Sequence, residues 1–529
     1  MTLPVLVITG ASGFVGRHLL AALKESYRIF GLARRSQREC GAAVHPNIAW
    51  IQVDIRQRDA VETAFREIAS AGGARYLIHL AAHYDFTGED RPEYRDTNAE
   101  GTRHVLDAAA ALRLKRFIFA SSVAACRFPR SEGPVSEGTP ADADHPYARS
   151  KHAGEAMVRG YEHAPTCIVR VGAVYSDCCE YAPLYSLLDA WLGRGWTSRM
   201  LAGRGETAIP YVHVHEVTAF FRRLLIAEEC LDHGEVLIAC SPGCTSHREL
   251  YERAVRLYYG SPRKSVHVMV PLCAVWLALV GMRGRITGRR PFERLWMLRF
   301  IDRALTVDNS QTCRRLGWSH RPRYRIERRI AFMVERMKSE PFEWYAKNAA
   351  AMRRTTDRPD LRIYTAMAAV EDQVVAAATE AALSHARDGH AGATGTDRAT
   401  LEWTFRLLYR LLMSSVQSAN RMLLMNYMEV TAASRLKTGT TAGEICFLLE
   451  TLRACIFRIL GAGSGRKATR QELHDRITVP IEFGIDEIRA QEERYVEGLA
   501  STAAETPGRE PTPREQLEET IWSCLVQRR

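Results

Sequence analysis

The sequence predicts a doubly wound α/β domain with a parallel sheet, followed by an all-α helical bundle. Up to about residue 174, short β-branched runs alternate with segments whose apolar residues recur at helical spacing. Beyond about residue 340 the strand pattern is absent and only helical patterns continue. The chain has 529 residues, which allows two to four domains.

Six runs in the first part are predicted as strands: Val5–Thr9, Arg28–Ala33, Ile48–Asp54, Tyr76–Ala82, Arg116–Ser122 and Thr166–Tyr175. Amphipathic segments such as "HLLAALKE" and "GTRHVLDAAAAL" lie between them. Strands that alternate with helices form parallel sheets covered on both faces. Residues 1–175 are therefore predicted to form the sheet domain, and 176–340 a smaller lobe with the elements that close that domain.

The remaining chain is predicted to be helical over residues 360–388, 398–436, 441–462 and 469–496. Leu401, Phe405, Leu408, Leu412 and Val416 form one apolar stripe in the second of these segments. Four helices with short connections indicate an antiparallel bundle over 341–500. Residues 501–529 are rich in proline and charge, so we expect a mobile tail.

Charge and cysteine content narrow the class of protein. The net charge is +11, but the basic residues form no single block and accompany no nucleic-acid-binding motif, so we expect no nucleic-acid partner. The 13 cysteines show no CxxC or Cys/His ligand spacing, which indicates free thiols and no metal site. No signal peptide opens the chain, and no apolar run reaches the roughly 20 residues of a spanning helix. We expect a cytoplasmic protein.

A glycine-rich turn follows the first predicted strand. The run "VLVITGASGFVGRHLLAAL" places Gly10, Gly13 and Gly16 between that strand and a helix, with Ser12 and Phe14 in the same turn. Glycine allows the backbone to approach a pyrophosphate, and a helix N-terminus attracts the anion. This context predicts a dinucleotide site.

The end of the second strand bears on which dinucleotide binds. NAD sites place an acidic residue there, whereas this chain has Ala33 followed by Arg34 and Arg35. Because arginine pairs with phosphate, the sequence favours NADP, with NAD as the alternative. The arginines could equally be solvated surface residues. Asp54, after "WIQV", is predicted to contact the adenine amine or to end the strand.

Tyr147 and Lys151, in "HPYARSKHAGE", share one helix face because they are four residues apart. A nearby ammonium is expected to lower the pKa of the tyrosine, which would then exchange a proton with a substrate oxygen. Ser122 ends the fifth strand, at the sheet edge where α/β proteins place ligands. Its hydroxyl is expected to hold the same oxygen.

The order of "TGASGFVG", "HLAA", "TNAEGT", "FASS", "YARSK" and "IVRVGAVY" resembles the extended short-chain dehydrogenase/reductase family, also called the NAD-dependent epimerase/dehydratase family. The resemblance covers roughly residues 3–340. It implies an NAD(P)-binding Rossmann domain over 1–175, a substrate lobe over 176–340, and often a homodimer. It also implies a Ser122/Tyr147/Lys151 triad, with Lys151 on the nicotinamide ribose. Further cofactor-side residues are expected at Ile55, Leu80, Ala81, Ala82 and Asn98, and Arg170 matches a family arginine.

The chain departs from the sugar-dehydratase branch, which carries an acidic pair after the catalytic serine or threonine. Val123 and Ala124 stand there, so we do not expect dehydration. His83, Tyr84 and Val123 are candidate substrate contacts. His213 and His215 lack further ligands, and structural roles are expected for them.

An apolar run at 269–281, flanked by arginines, indicates an apolar substrate. It could line a pocket, pack as a buried helix or contact a membrane peripherally.

These observations predict an NADP-dependent oxidoreductase that interconverts a carbonyl and an alcohol on an apolar small molecule. A nucleotide-sugar epimerase of the same fold is the first alternative. The second is a dinucleotide-sensing regulatory protein whose output is the helical domain. That domain resembles sensor modules of bacterial stress-response regulators, and it could dock a protein partner.

Overall fold

The computed structural model describes residues 3–128, 133–193, 195–287, 292–352, 359–387, 397–418, 422–437, 440–461 and 473–502. The chain divides into two compact units. The first comprises Met1–Lys338 with Trp344–Thr355, and the second Ser339–Glu343 with Thr356–Arg529. Most of the predicted tail, residues 503–529, lies outside the described residues.

A seven-stranded parallel sheet forms the centre of the first unit. Its strands are β1 (Val5–Thr9), β2 (Arg28–Ala33), β3 (Ile48–Gln52), β4 (Tyr76–His79), β5 (Arg116–Ser122), β6 (Thr166–Val171) and, later in the chain, β11 (Glu235–Ala239). Their order across the sheet is β11-β6-β5-β4-β1-β2-β3. The predicted α/β class with a parallel sheet is confirmed. The strand β11 was not among the six predicted strands.

Helices cover both faces of this sheet. They are α1 (Phe14–Leu23), α2 (Gln37–Cys40), α3 (Arg58–Ser70), a π-helical segment (Tyr94–Glu100) continuing into α4 (Gly101–Ala109), α5 (Pro146–Arg159), α7 (Val214–Ile226) and α10 (Ser310–Leu316). Alternate residues of a strand point to opposite faces. Leu6 and Ile8 accordingly pack in one cluster with α1 and α7, and Val7 packs in another with α3 and α4.

The smaller lobe is built from short strand pairs and helices. Strands β7 (Ala173–Tyr175) and β10 (Tyr211–His213) pair, as do β9 (Ala208–Ile209) with β12 (Thr245–Ser246) and β8 (Met200–Ala202) with β13 (Val266–Val268). The helices are α6 (Ala182–Trp191), α8 (His247–Tyr259), α9 (Val270–Thr287), α11 (Ile326–Ser339) and α12 (Pro341–Ala351). Their core joins side chains of α6, α8 and α11 with Trp344.

Gly172 separates β6 from β7, where one continuous strand was predicted. A side chain there would place its Cβ 2.4 Å from the Sγ of Cys240. After this glycine the chain leaves the large sheet and pairs with β10 instead.

The second unit is helical, as predicted. It contains α13 (Pro359–Arg387), α14 (Arg398–Ser418), α15 (Met422–Lys437), α16 (Ala442–Gly461) and a π-helical segment (His474–Thr478) that leads into α17 (Val479–Thr502). The predicted stripe from Leu401 to Val416 is buried in its core. The predicted helical segment 398–436 corresponds to two helices, so the described part of this unit has five α-helices rather than four.

Two negative findings apply to the described residues. None of their helices is long and apolar enough to cross a membrane. The cysteines that they include carry free thiols.

Candidate active site

The glycine turn joins β1 to α1 at the carboxyl edge of the sheet. Gly10 has φ +70°, and a Cβ there would lie 2.6 Å from the backbone nitrogen of Ala81. A Cβ at Gly16 would lie 2.5 Å from the carbonyl oxygen of Gly10. Gly13 is the N-cap of α1, no side chain caps the helix, and its first turn contains no acidic residue. The turn therefore presents backbone N–H groups and the positive end of the helix dipole, which suits a pyrophosphate.

We expect Gly10→Ala to weaken NADPH binding about tenfold or more, because its Cβ would push apart the turn and the end of β4. Gly41 provides a matched control, since its φ is +61° but no atom lies within 4 Å of an added Cβ. Both variants incur the left-handed backbone cost of about 1–2 kcal/mol. Fluorescence titration with NADPH compares them. Equal losses of affinity would contradict a steric role for Gly10.

Arg35 lies close to this turn, and it donates a hydrogen bond from a guanidinium nitrogen to the carbonyl oxygen of Ser12 at 2.6 Å. Arg34 is exposed beside it. Hydrogen bonds from Arg56 lower the pKa of Asp54, and the charge of Arg34 adds a smaller contribution. Asp54 itself forms an ion pair with Arg56, with a closest N–O distance of 2.6 Å. The chain therefore has two arginines, and no acidic residue, directly after β2. Asp54 is already paired with Arg56.

The predicted triad lines one cavity of about 820 Å³ in the first unit, here called the central cavity. Ser122, Tyr147 and Lys151 share its wall with Phe14 and Val15 of the glycine helix. Leu80, Ala82, Tyr84, Val123 and Arg35 line it as well. The predicted triad is therefore brought together with four further predicted cofactor residues, Phe14, Arg35, Leu80 and Ala82.

Local sequence explains where the helix that carries Tyr147 begins. His145 is the N-cap of α5, its ring nitrogen accepts a hydrogen bond from the backbone N–H of Ala148, and Pro146 occupies the first turn. Lys151 follows one turn later and donates from Nζ to the carbonyl oxygen of Ala120 at 2.7 Å. Its Nζ lies 5.9 Å from the centre of the Tyr147 ring.

The expected lowering of the tyrosine pKa is wrong for this arrangement. Burial raises the pKa of Tyr147 above its ordinary value, the nearby Ser122 hydroxyl partly offsets this shift, and Tyr94 raises the pKa further. Burial also lowers the pKa of Lys151 to about 8, although Glu155 opposes that shift. Near pH 7 the phenol is therefore protonated, so Tyr147 can donate a proton to a substrate oxygen.

Asn98 links the loop after β4 to α5 through hydrogen bonds. Its side-chain nitrogen donates to the carbonyl oxygen of His83 and to the hydroxyl of Ser150, both at 2.9 Å. Its side-chain oxygen accepts from the backbone N–H of His83 at 2.6 Å. Asn98 is buried, so its role in this structure is to position the cavity wall. Of the other predicted cofactor residues, Ile55 is buried against Gly101 and Ala81 packs on Gly10.

Two of the three candidate substrate residues, Tyr84 and Val123, line the central cavity. The Tyr84 ring lies 4.3 Å from the Tyr147 ring, centre to centre. Val123 is largely buried but contributes to the central cavity. His83 does not line it, and its ring lies 3.4 Å from Asp85. His213 caps α7 and contacts Asp177, and no metal-binding cluster occurs among the described residues.

Glu155 and Arg170 form a buried ion pair that sequence reasoning did not identify. Both side chains are almost completely buried, and two guanidinium nitrogens donate to the two carboxylate oxygens at 2.9 Å each. Glu155 also accepts from the hydroxyl of Ser121 at 2.7 Å. The pair ties α5 to β5 and β6 beside the triad. Its signal in the sequence was Glu155, one helical turn after Lys151, together with a lone arginine in the apolar run "IVRVGAV".

Aromatic side chains form much of the wall of the central cavity. Phe86, Phe128, Tyr181 and Phe292 line it with Tyr84, and they come from four separate segments of the first unit. Sequence reasoning did not single them out, because rings so far apart in the chain share no local pattern. Cationic groups in the same wall are Arg17, Arg91, Arg294 and Lys347.

Comparison with known proteins bears on the family and the fold. Residues 6–239 match the sequence model of the NAD dependent epimerase/dehydratase family, which confirms the predicted resemblance over that range. The solved structure of the Bordetella bronchiseptica enzyme WbmG in complex with NAD has a TM-score of 0.50 and 17% identity, covering 67% of this chain and 98% of that chain. That likeness supports the fold.

Two curated relatives show the range of activities. The chain is 28% identical over 221 residues to N-acetyl-alpha-D-glucosaminyl-diphospho-ditrans,octacis-undecaprenol 4-epimerase from Escherichia coli O157:H7, covering 41% of this chain and 61% of the epimerase. That match spans less than two thirds of the epimerase. The chain is 25% identical over 319 residues to 3 beta-hydroxysteroid dehydrogenase type 7 from Homo sapiens, covering 56% of this chain and 78% of the dehydrogenase.

Proposed function

We propose that the chain, whose residues 6–239 match the model of the NAD dependent epimerase/dehydratase family, is an NADP-dependent oxidoreductase acting on an apolar substrate. The proposed reaction interconverts a carbonyl and an alcohol. The observation that carries the proposal is that Ser122, Tyr147 and Lys151 line the same cavity as Phe14 and Val15 at the start of α1.

Several residues fit the cofactor. The uncapped N-terminus of α1 and the glycine turn would hold the pyrophosphate, Lys151 the ribose, and Arg35 the 2′-phosphate. A bound nicotinamide supplies or accepts the hydride. The remaining chemistry belongs to the chain: Ser122 orients the substrate oxygen and Tyr147 donates its proton to that oxygen in the reducing direction. Lys151 contributes positive charge behind the phenol.

The aromatic wall supports an apolar substrate. Apolar pockets with few polar groups bind hydrophobic molecules, and the polar groups fix orientation. Among the polar groups of the central cavity, Ser122 and Tyr147 would orient the substrate oxygen, and the rings of Tyr84, Phe86 and Tyr181 line the same cavity. The human relative is by name a hydroxysteroid dehydrogenase, which is consistent with this class.

The direct test is titration of the purified chain with NADPH and NADH, followed by turnover assays with ketones, aldehydes and nucleotide sugars. We expect NADPH to bind about tenfold or more tightly than NADH, since charged hydrogen bonds contribute about 1.5–3 kcal/mol each. The double variant Arg34→Ala/Arg35→Ala should abolish this preference. Equal affinities in the unaltered chain would exclude NADP selectivity, and a lack of turnover with every carbonyl would count against the proposed reaction.

Epimerisation of a nucleotide sugar is the second candidate. The cationic residues Arg91, Arg294 and Lys347 line the cavity and could hold a diphosphate, and the Escherichia coli relative is by name a 4-epimerase. This candidate predicts dinucleotide retained through purification and turnover of a sugar substrate without net change in absorbance of the nicotinamide. The substrate assays above therefore separate the two candidates.

A further inference from the structure

Helix α9 carries a continuous stripe of exposed apolar side chains. The stripe consists of Leu272, Val275, Trp276, Leu279, Met282 and Ile286, which recur every three or four residues and are 53–82% exposed. The predicted alternative of a buried helix is therefore wrong for this face. Such a stripe usually faces a core, whereas a solvent-facing stripe is usually polar.

The opposite face of α9 packs against the protein. Cys273, Leu277 and Val280 are half-buried there, and Gly284 is buried. The helix is thus apolar on both faces, one half-buried and one presented outward. Contiguous exposed apolar patches of this kind mark interaction sites.

Positive charge flanks α9 along the chain. The segment 261–300 contains eight lysine and arginine residues and one acidic residue, Glu293. Arg263 and Lys264 precede β13, Arg283 lies on α9 itself, and Arg294 and Arg299 follow it. Basic residues beside a membrane contribute about 1 kcal/mol each through attraction to anionic lipids. The charge therefore favours an anionic surface over a neutral apolar partner.

We propose that α9 docks the chain onto an anionic lipid bilayer, with the helix in the plane of the interface and its exposed stripe inserted among the acyl chains. Its 18 residues extend over about 27 Å, and no described helix is apolar enough to cross a membrane. Apolar insertion combined with basic flanks is how interfacial helices bind reversibly.

The proposed docking helix is close in sequence to residues that line the central cavity. Phe292 and Arg294 line that cavity and follow α9 in the chain. The indole N–H of Trp296 donates to the carbonyl oxygen of Thr87 at 3.2 Å. Thr87 also lines the cavity. This inference goes beyond the proposed reaction and does not depend on it.

Vesicle co-sedimentation of the full chain tests the proposal. We expect binding to vesicles of equimolar phosphatidylcholine and phosphatidylglycerol, much weaker binding to pure phosphatidylcholine, and loss of binding as salt is raised. Trp276→Ser/Leu279→Ser should weaken binding about tenfold or more, since two large apolar groups leave the interface. The matched control Trp196→Ser/Ile226→Ser removes a tryptophan and an aliphatic residue that are 76% and 64% exposed elsewhere.

Three results would overturn the proposal. They are absence of binding to the anionic vesicles, equal binding by the α9 variant and the unaltered chain, and an α9 variant that only converts a dimer into a monomer in gel filtration. The last result would identify a second copy as the occupant. Circular dichroism of both variants verifies that they fold. Because vesicle binding is measured without turnover, its failure is distinguishable from failure of the proposed reaction.

Discussion

Replacing Tyr147 with phenylalanine is expected to lower kcat about 10²–10⁴-fold, the range that general acid–base catalysis contributes. The variant keeps the ring that packs against Tyr84 and removes only the hydroxyl that faces Ser122. The glycine turn and Lys151 are untouched. We therefore expect the Kd of NADPH to stay essentially unchanged, measured by titration beside steady-state kinetics.

Tyr181→Phe is the matched control for this experiment. Tyr181 lines the same cavity and burial raises its pKa as it does for Tyr147, but it lies outside the Ser122–Lys151 arrangement. Its kcat should remain close to that of the unaltered chain. An unchanged kcat in Tyr147→Phe, or an equal fall in both variants, would refute the assignment of Tyr147 as the proton donor.

Replacing Glu155 with alanine is expected to lower the free energy of unfolding of the first unit by about 3–5 kcal/mol. Removal of one partner from a buried ion pair leaves the other charge without compensation, here the guanidinium of Arg170. The hydroxyl of Ser121 would lose its acceptor at the same time. Denaturant titration measures the change.

Two further variants make this stability test specific. Glu62→Ala removes an exposed partner of Arg58 and should cost less than about 1 kcal/mol. Glu155→Leu/Arg170→Met removes both buried charges and should recover much of the loss. A double variant less stable than Glu155→Ala would show that the pair is not the source of the effect.

The same pair gives a pH dependence of stability. Burial raises the pKa of Glu155, but the hydrogen bonds and charge of Arg170, with smaller contributions from Ser121 and Arg159, hold it below the ordinary value. A carboxyl with a lowered pKa stabilises the fold above its unfolded pKa, and this contribution declines as the pH falls through the folded value. Glu155→Ala should therefore flatten the acid side of the stability profile.

Local pattern was sufficient for much of this architecture. Five β-branched runs and the glycine turn predicted β1 to β5 and the start of α1, because burial on both faces of a parallel sheet requires continuous apolar strands. Ser122 at the end of a parallel strand, and the helix face shared by Tyr147 and Lys151, predicted that the three side chains meet at one edge of the sheet. The helical spacing of the apolar residues from Leu401 to Val416 predicted a buried helix face.

Properties that depend on distant neighbours were not predictable in this way. The i,i+4 spacing of Tyr147 and Lys151 indicated a lowered tyrosine pKa, but rings from other segments bury the phenol and raise it. The strand β11 lies far along the chain from β6, so local pattern did not reveal that the two strands pair. The apolar run of α9 left a pocket wall, a buried helix and membrane contact open, and only the structure shows that its outer face is exposed among the described residues.

The path of the chain around residues 338–355 affects how the two units could have been joined in evolution. The first unit ends at Lys338, resumes at Trp344 and ends again at Thr355. In the resumed stretch, the side chain of Asn348 donates to the carbonyl oxygen of Cys178 at 2.8 Å, and Met352 lines the central cavity. A gene fusion at a simple linker would leave each part self-contained. Here a deletion that removed everything after residue 340 would also take away part of the cavity wall, so a truncation that spares the first unit has to fall after residue 355.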